Sequence, residues 1–191
     1  MGVEYELKFR ATAKVQEQIL QDNPGLWQRV SMETTYYDTP AGALSARHFT
    51  LRKRLENGKS ICTLKTPAGN GARGEWETEC DTIEQAIPIL CKLGGPEELL
   101  SLTENGVIPV CGARFIRRCS TLSFGDSTLE LALDEGVLFN GEKQLPLCEV
   151  EIELKDGSVV DANTCAAIFR QKYGLTPEQK SKFLRAKELG E

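Results

Sequence analysis

Carboxylates and cations recur at alternate positions along this chain, a spacing that puts them on one face wherever the backbone is extended. At the start, "VEYELKF" sets Glu4, Glu6 and Lys8 against Val3, Tyr5, Leu7 and Phe9. Further on, "CEVEIELK" aligns Glu149, Glu151 and Glu153, and "RGEWETE" aligns Arg73, Glu75, Glu77 and Glu79. "STLELALDEG" places Glu130 and Asp134 opposite Leu129, Leu131 and Leu133. Cations follow the same rule: Arg52 and Arg54 in "HFTLRKRL", Lys65 in "CTLKT", and Arg117 in "RFIRRC", where Arg114 and Arg118 take the opposite phase. Alternate residues lie about 7 Å apart, so neighbouring carboxylates repel by roughly 0.6 kcal/mol in water and ~2.4 kcal/mol at an effective dielectric near 20. On a solvated face such rows are ordinary. Where the faces look at one another, the acids need cations beside them, supplied by Lys and Arg on neighbouring strands or by a divalent metal. A lining of both signs suits a polyanion with bound metal, carboxylates holding the metal and Lys and Arg holding the anion's oxygens.

Strands must position these groups. Period-two stretches at 2–10, 30–38, 48–56, 59–66, 72–80, 113–124, 127–138 and 146–155 predict a mostly antiparallel sheet of about eight strands. Asn57-Gly58 and Gly125-Asp126 supply turns. Helical periodicity occupies "ATAKVQEQILQ", "TIEQAIPILCKLG", "PEELLSL", "VDANTCAAIFRQKYG" and "KSKFLRAKEL", with a Thr82 to Gln85 capping box opening the second and Gly94-Gly95-Pro96 ending it. A twisted sheet of this width tends to close. The expected fold is α+β: a closed antiparallel β-barrel, a tunnel, with charged faces inside and apolar faces outside under packed helices.

The 191 residues, 40% hydrophobic and 27% charged, fit one domain over 1–191. A net charge of −5 argues against general binding to nucleic acid or an anionic membrane, while leaving room for a local basic cluster that captures a compact anion. Seven scattered cysteines without a C-x-x-C pair suggest neither a disulfide framework nor a zinc knuckle, and read as small core residues in a reducing, cytoplasmic setting. No apolar run reaches the roughly 20 residues of a membrane span, and the charged start lacks the apolar segment of a signal peptide.

The ordered set "VEYELKF", "TYYDTP", "LRKR", "LK" at Lys65, "RGEWE", "FIRR", "LALDEG", "CEVEIELKDG" and "KSKFLRA" resembles the CYTH superfamily, the triphosphate tunnel metalloenzymes. The first of these is the family's E-x-E-x-K signature, and the resemblance covers nearly the whole chain. It is closest to the CYTH module of bacterial inorganic triphosphatases, especially in "LALDEG" and "EIELKDG". Some of those proteins carry a second, histidine-rich helical domain; with one histidine and an end at Glu191, the module alone is expected here.

Carried over by position, the resemblance implies metal ligands at Glu4, Glu6, Asp134, Glu151 and Glu153, for Mg²⁺ or Mn²⁺. It implies phosphate contacts at Lys8, Arg52, Arg54, Lys65, Arg73, Arg117 and Lys182, with Lys180 as a weaker candidate. Glu75 and Glu77 match acidic positions used toward a second metal or the attacking water, so the implied catalytic set is Lys8, Arg52, Arg54, Glu75 and Glu77. Two residues beyond Arg117, where some relatives have another base, this chain has Cys119. The implied partner is a small-molecule polyphosphate, and the family makes a homodimer reasonable.

Phosphoanhydride hydrolysis needs neutralised charge, an in-line water and a held leaving phosphate rather than a covalent protein intermediate. The leading reading is metal-dependent hydrolysis of inorganic triphosphate to pyrophosphate and phosphate. The alternatives are a class IV-type adenylate cyclase, a thiamine or nucleoside triphosphatase, and a non-catalytic polyphosphate-binding module. No quoted motif supplies an adenine-reading pocket, and binding alone would not require so many carboxylates. His48 reads as surface or packing, Tyr36 and Tyr37 as strand-end braces, Asp38-Thr39-Pro40 as a turn, and Trp27 and Trp76 as core or shell. "ENGK" is a hairpin turn and "PAGNGARG" a solvent-exposed Gly-rich loop.

Overall fold

The computed structural model describes residues 2–68 and 73–191, which leaves the Gly69 to Ala72 part of the Gly-rich loop, and the side chain of Val3, outside the described residues. Ten antiparallel strands form one sheet in the order β1-β6-β5-β4-β3-β7-β8-β9-β2-β10. They are β1 (Gly2–Glu4), β2 (Glu6–Arg10), β3 (Gln28–Asp38), β4 (Thr50–Glu56), β5 (Lys59–Pro67), β6 (Arg73–Glu79), β7 (Ile108–Phe124), β8 (Ser127–Asn140), β9 (Lys143–Asp156) and β10 (Thr176–Pro177). Because β1 and β2 are one strand interrupted at Tyr5, and β10 is a two-residue edge, eight strands make the wall, as the alternation predicts.

That interruption completes the wrap. Residues 2–4 pair with β6, residues 6–10 pair with β9, and between them the Tyr5 carbonyl accepts from Leu154 N (2.9 Å). Among the described residues no ladder of hydrogen bonds joins β1 to β2 or β10 at the other side of the sheet; the N-terminal segment links β1 to β2 covalently. Asn57 and Gly58, both at positive φ (51° and 89°), make the tight turn between β4 and β5.

Apolar faces lie outside, as a polar interior requires. Tyr5, Leu7 and Phe9 pack with Leu129, Leu131, Leu133, Val150 and Ile152 under α1 (Ala13–Asp22) and α5 (Val159–Tyr173). Leu51, Cys62, Leu64 and Trp76 pack under α2 (Ala43–Ala46), α3 (Ile83–Lys92) and α4 (Glu98–Leu102). Side-chain caps set the helix starts: Thr12 accepts from Val15 N, Thr82 from Gln85 N, and Ser158 from Val160 N. The sixth helix, α6 (Lys182–Glu188), sits against the inner face. Its Phe183 and Ala186 pack on Met32, Tyr36, Phe115, Leu138 and Leu147, which close one end of the barrel with an apolar layer.

Two elements escape the sequence pattern. The turn Asp38-Thr39-Pro40 continues into α2 because the buried Asp38 carboxylate accepts from the backbone N–H of Thr39, Leu44 and Ser45 (2.8, 2.9 and 3.2 Å). Strand β7 begins five residues before the predicted 113, where Pro109 and Gly112 disguise it. A register shift between Tyr36 and Tyr37 absorbs the proline, and a Cβ at Gly112 would meet Phe139 at 2.3 Å and Thr34 O at 2.7 Å. All seven cysteines are free, His48 is exposed, and no helix among the described residues is long and apolar enough to cross a membrane.

Gly136 faces β7 so closely that an added Cβ would lie 2.1 Å from Arg114 O and 2.5 Å from Phe115 Cα, both backbone atoms. Gly136→Ala is therefore expected to destabilise the fold by about 2 kcal/mol, read as a lower midpoint in urea with an unchanged slope.

Candidate active site

Every strand from β1 to β9 sends at least one side chain into a cavity of about 350 Å³ inside the wrapped sheet. Its wall holds Glu4, Glu6, Lys8, Arg52, Arg54, Lys65, Arg73, Glu75, Glu77, Arg117, Glu151, Glu153 and Lys182 among the residues implied by sequence. Asp134 lies behind this wall, wholly buried, and reaches the site through its ion pairs with Arg117 and Lys182. Lys180 stands apart, donating to Glu188 (2.7 Å) with half of its side chain exposed.

The deepest charged layer is a nearly complete set of buried pairs. Strand register sets Glu149 opposite Asp134, Glu151 opposite Lys8, and Arg117 opposite Asp134. Arg117 donates to both Asp134 oxygens (2.8 and 2.7 Å) and to Glu151. Lys182 reaches Glu151 (2.5 Å), Glu149 (2.6 Å) and Asp134 (2.9 Å), and Arg185 completes the group on Glu149. Burial raises the Glu151 carboxyl's pKa, but Lys182 and Arg117 outweigh it and hold the pKa well below the usual range. For Asp134 burial is likewise outweighed by Arg117 and Lys182; for Glu149 burial wins and the pKa is raised. Burial works against the Lys182 ammonium, yet Asp134, Glu151 and Glu149 lift its pKa above the ordinary lysine value.

From outside the barrel, the fully buried Gln16 of α1 braces this layer. Its amide donates to the main-chain carbonyls of Asp134 (3.0 Å) and Glu149 (2.8 Å), while its oxygen accepts from Arg118 (3.2 Å).

Nearer the opening the balance changes. Glu6 and Glu130 flank Glu153 on the neighbouring strands, so three carboxylates stand abreast. Burial raises the Glu153 pKa; Lys155 (2.8 Å) lowers it, and Glu4 and Glu130 raise it further. On the opposite wall Lys65 holds Glu4 (2.6 and 2.5 Å) and Glu75 (3.2 Å). Arg52 and Arg54, each 9% exposed, have only distant carboxylates: Glu75 and Glu77 at 3.7 Å for Arg52, Glu56 at 3.4 Å for Arg54. The buried Nε of Arg52 has no hydrogen-bond partner among the described residues. Burial lowers the Arg54 pKa, and Arg52 and Arg117 lower it further. Such a pair of guanidiniums favours an incoming anion.

The sequence pattern of the CYTH domain family matches residues 2–186. The chain belongs to the CYTH family. Over 136 residues it is 32% identical to an inorganic triphosphatase of Haemophilus influenzae, a match covering 70% of this chain and 39% of that protein. The chain thus spans about two fifths of that relative's length. Among solved structures it is similar to a candidate adenylyl cyclase from Hippeastrum described as having a dominant triphosphatase activity (TM-score 0.66, 19% identity, covering 100% of this chain and 97% of that one). A Pyrococcus horikoshii protein gives a TM-score of 0.64 at 22% identity, covering 94% and 96% of the two chains. At these identities the structures speak for the α+β fold alone.

Several residues that line the cavity or, like Glu149 and Arg185, are buried behind it lie beyond those implied by sequence. Glu130 shares its face with Asp134 and lines the cavity; Lys155 continues the alternation two places past Glu153. Glu149 belongs to the same triplet as Glu151, and Arg185 follows Lys182 at helical i+3 spacing. Tyr36 also lines the cavity, opposite Arg52, with its ring 5.3 Å from that of Phe183. Cys119 lines it as well, and burial raises its thiol pKa, so the position carries no charge at neutral pH.

Three oxygen-ligand carboxylates at Asp134, Glu149 and Glu151 lie within 4.8 Å of one another, but Arg117, Lys182 and Arg185 already balance them. Glu6, Glu130 and Glu153 meet only lysines, Lys8 at 3.1 Å for Glu6 and Lys155 at 3.9 and 2.8 Å for Glu130 and Glu153 among the described residues, and an all-oxygen set of this kind fits a hard divalent ion. The depressed Asp134 and Glu151 pKa values stabilise the fold above the usual carboxylate range, a contribution lost as pH falls through their folded values; Glu149 acts in the opposite sense. The raised Lys182 pKa stabilises below the ordinary lysine value and is lost only as pH rises through the folded one. Lys182→Met should therefore cost about 3 kcal/mol at pH 7, with the loss shrinking as acid protonates the abandoned carboxylates; urea unfolding at pH 7 and pH 5 measures both.

Proposed function

We propose that the protein hydrolyses inorganic triphosphate to pyrophosphate and phosphate in a reaction that depends on Mg²⁺ or Mn²⁺. The observation that carries this reading is the pair Arg52 and Arg54: two buried guanidiniums facing the cavity, whose carboxylate neighbours Glu75, Glu77 and Glu56 stand at 3.7, 3.7 and 3.4 Å and leave the Arg52 Nε without a hydrogen-bond partner among the described residues. Burial, Arg52 and Arg117 weigh against the Arg54 charge, the Arg52 Nε is free to donate, and a compact polyanion supplies several oxygens at once. The similarity to the Haemophilus triphosphatase supports the same activity.

In this reading the chain's own side chains hold the substrate by both walls. Arg52, Arg54, Lys65 and Arg73 contact phosphate oxygens from one wall, Lys8 from the wall of Glu6 and Glu153, and Arg117 and Lys182 from the base of the cavity. A divalent ion would be held by Glu4, Glu6 and Glu153, beside Glu130, with Glu151 and Asp134 acting through the cations they share. When bound it neutralises phosphate charge and acidifies a water. Glu75 and Glu77, which neighbour Arg52 and Lys65, would orient the attacking water and set the charge of that wall. Arg52 and Arg54 stabilise charge that grows on the leaving pyrophosphate, which is where fixed cations accelerate a phosphoryl transfer. Lys180 remains a weaker candidate, from outside the cavity.

The wall is dominated by charged groups, with Tyr36 and Phe183 its aromatic members, and this favours an inorganic chain over a nucleobase. The expected result is orthophosphate release from tripolyphosphate with Mg²⁺ or Mn²⁺, abolished by chelator. The rate should fall about 100-fold in Arg52→Ala and in Glu4→Gln. Release that persists in chelator, or cyclic AMP as the main product from ATP, would overturn the reading.

A further inference from the structure

The wall of the tunnel has a seam. Strand β1 leaves β6 after Glu4, and the free edge of β2 is next covered only where β10 pairs with Phe9 and Arg10 and where Glu178 N–H donates to Lys8 O (2.8 Å). Between these points no strand pairs with that edge at Glu6 and Leu7 among the described residues. A second cavity, about 510 Å³, lies along the seam and shares Glu4, Glu6, Lys8 and Arg73 with the tunnel. Its outer part is floored by Ala166, Ala167 and Pro177 and flanked by Arg170 of α5.

Charge decides what this groove suits. Each acid that touches it is already matched: Glu4 by Lys65, Glu6 by Lys8, and Glu178 by Arg10 and Arg185. Arg73 and Arg170 have no ion-pair partner among the described residues. Arg73 and Arg170 are thus the lining cations left without a carboxylate, one at the tunnel end and one at the outer end, beside the small residues Ala166, Ala167 and Pro177.

We propose that this groove is a subsite for phosphates beyond the third, so that the protein accepts linear polyphosphates longer than tripolyphosphate, with the extra units leaving through the seam from Arg73 to Arg170. The inference rests on the polyphosphate reading of the tunnel. Arg170 is exposed on the last turn of α5, makes no side-chain hydrogen bond among the described residues, and lies outside the tunnel wall, so its replacement leaves the tunnel intact.

The test is calorimetric titration of tripolyphosphate, tetrapolyphosphate and ATP in chelator, where turnover does not intervene. Tetrapolyphosphate is expected to bind about tenfold more tightly than tripolyphosphate, and Arg170→Glu to erase that gain while leaving tripolyphosphate within about twofold. Arg170→Lys should retain part of the gain. Equal affinities for the two chains, or equal weakening of both by Arg170→Glu, would overturn the subsite while leaving the tunnel reading in place. Selective weakening of ATP would assign the groove to an organic group instead. No binding of tripolyphosphate in chelator, together with no orthophosphate release from it with Mg²⁺ or Mn²⁺, would defeat the tunnel reading and the subsite together.

Discussion

Charges turned inward must be neutralised where water is scarce, and the layer built from Asp134, Glu149, Glu151, Arg117, Lys182 and Arg185 satisfies that condition. A buried carboxylate without its cation would be far more costly than the pair is favourable. Much of the architecture follows from this. The strands cannot use their inner faces as a conventional core, so their outer faces must take that role, and the helices are needed to cover them. Helix α6 is the one exception in placement, because Lys182 and Arg185 have to arrive from within. Phe183 and Ala186 on the same helix then seal the end of the barrel behind them.

The N-terminal strand holds the arrangement together laterally. By changing partners at Tyr5 it brings Glu4 beside Lys65 and Glu6 beside Glu153, two sides of the site that no other strand connects. The same step keeps Tyr5, Leu7 and Phe9 on the outer surface under α1 and α5. One short segment thus contributes to the charged lining, the outer core and the closure of the sheet. The consequence is an edge at Glu6 and Leu7 that no strand among the described residues covers.

Much of this was legible because alternation survives in strands whose two faces differ so sharply in polarity. Glu151 between Val150 and Ile152 needs no tertiary knowledge to be placed on a face, and the direction of curl then follows from the need to match acids with bases. What was illegible depended on contacts distant in sequence. Asp38 reads as a turn residue, and only its bonds to Leu44 and Ser45 reveal the helix it caps. Pro109 and Gly112 argue against a strand until the register shift at Tyr36 and the crowding by Phe139 are seen. Alternation also gives each carboxylate in a row equal standing. It cannot say that Glu149 and Asp134 are sealed behind cations while Glu130 and Glu153 face the opening, since that difference comes from α6 and the apolar layer at the base.

Placing the apolar core outside the barrel also fixes how the tunnel responds thermally to a ligand. Filling it removes carboxylate, ammonium and guanidinium surface from water, while Leu131, Val150 and their neighbours stay under the helices whether or not it is occupied. Apolar burial makes heat capacity fall on binding and polar burial makes it rise. A ligand in this tunnel therefore belongs to the class whose association carries a heat-capacity change near zero or positive, and its affinity varies with temperature through a nearly constant enthalpy.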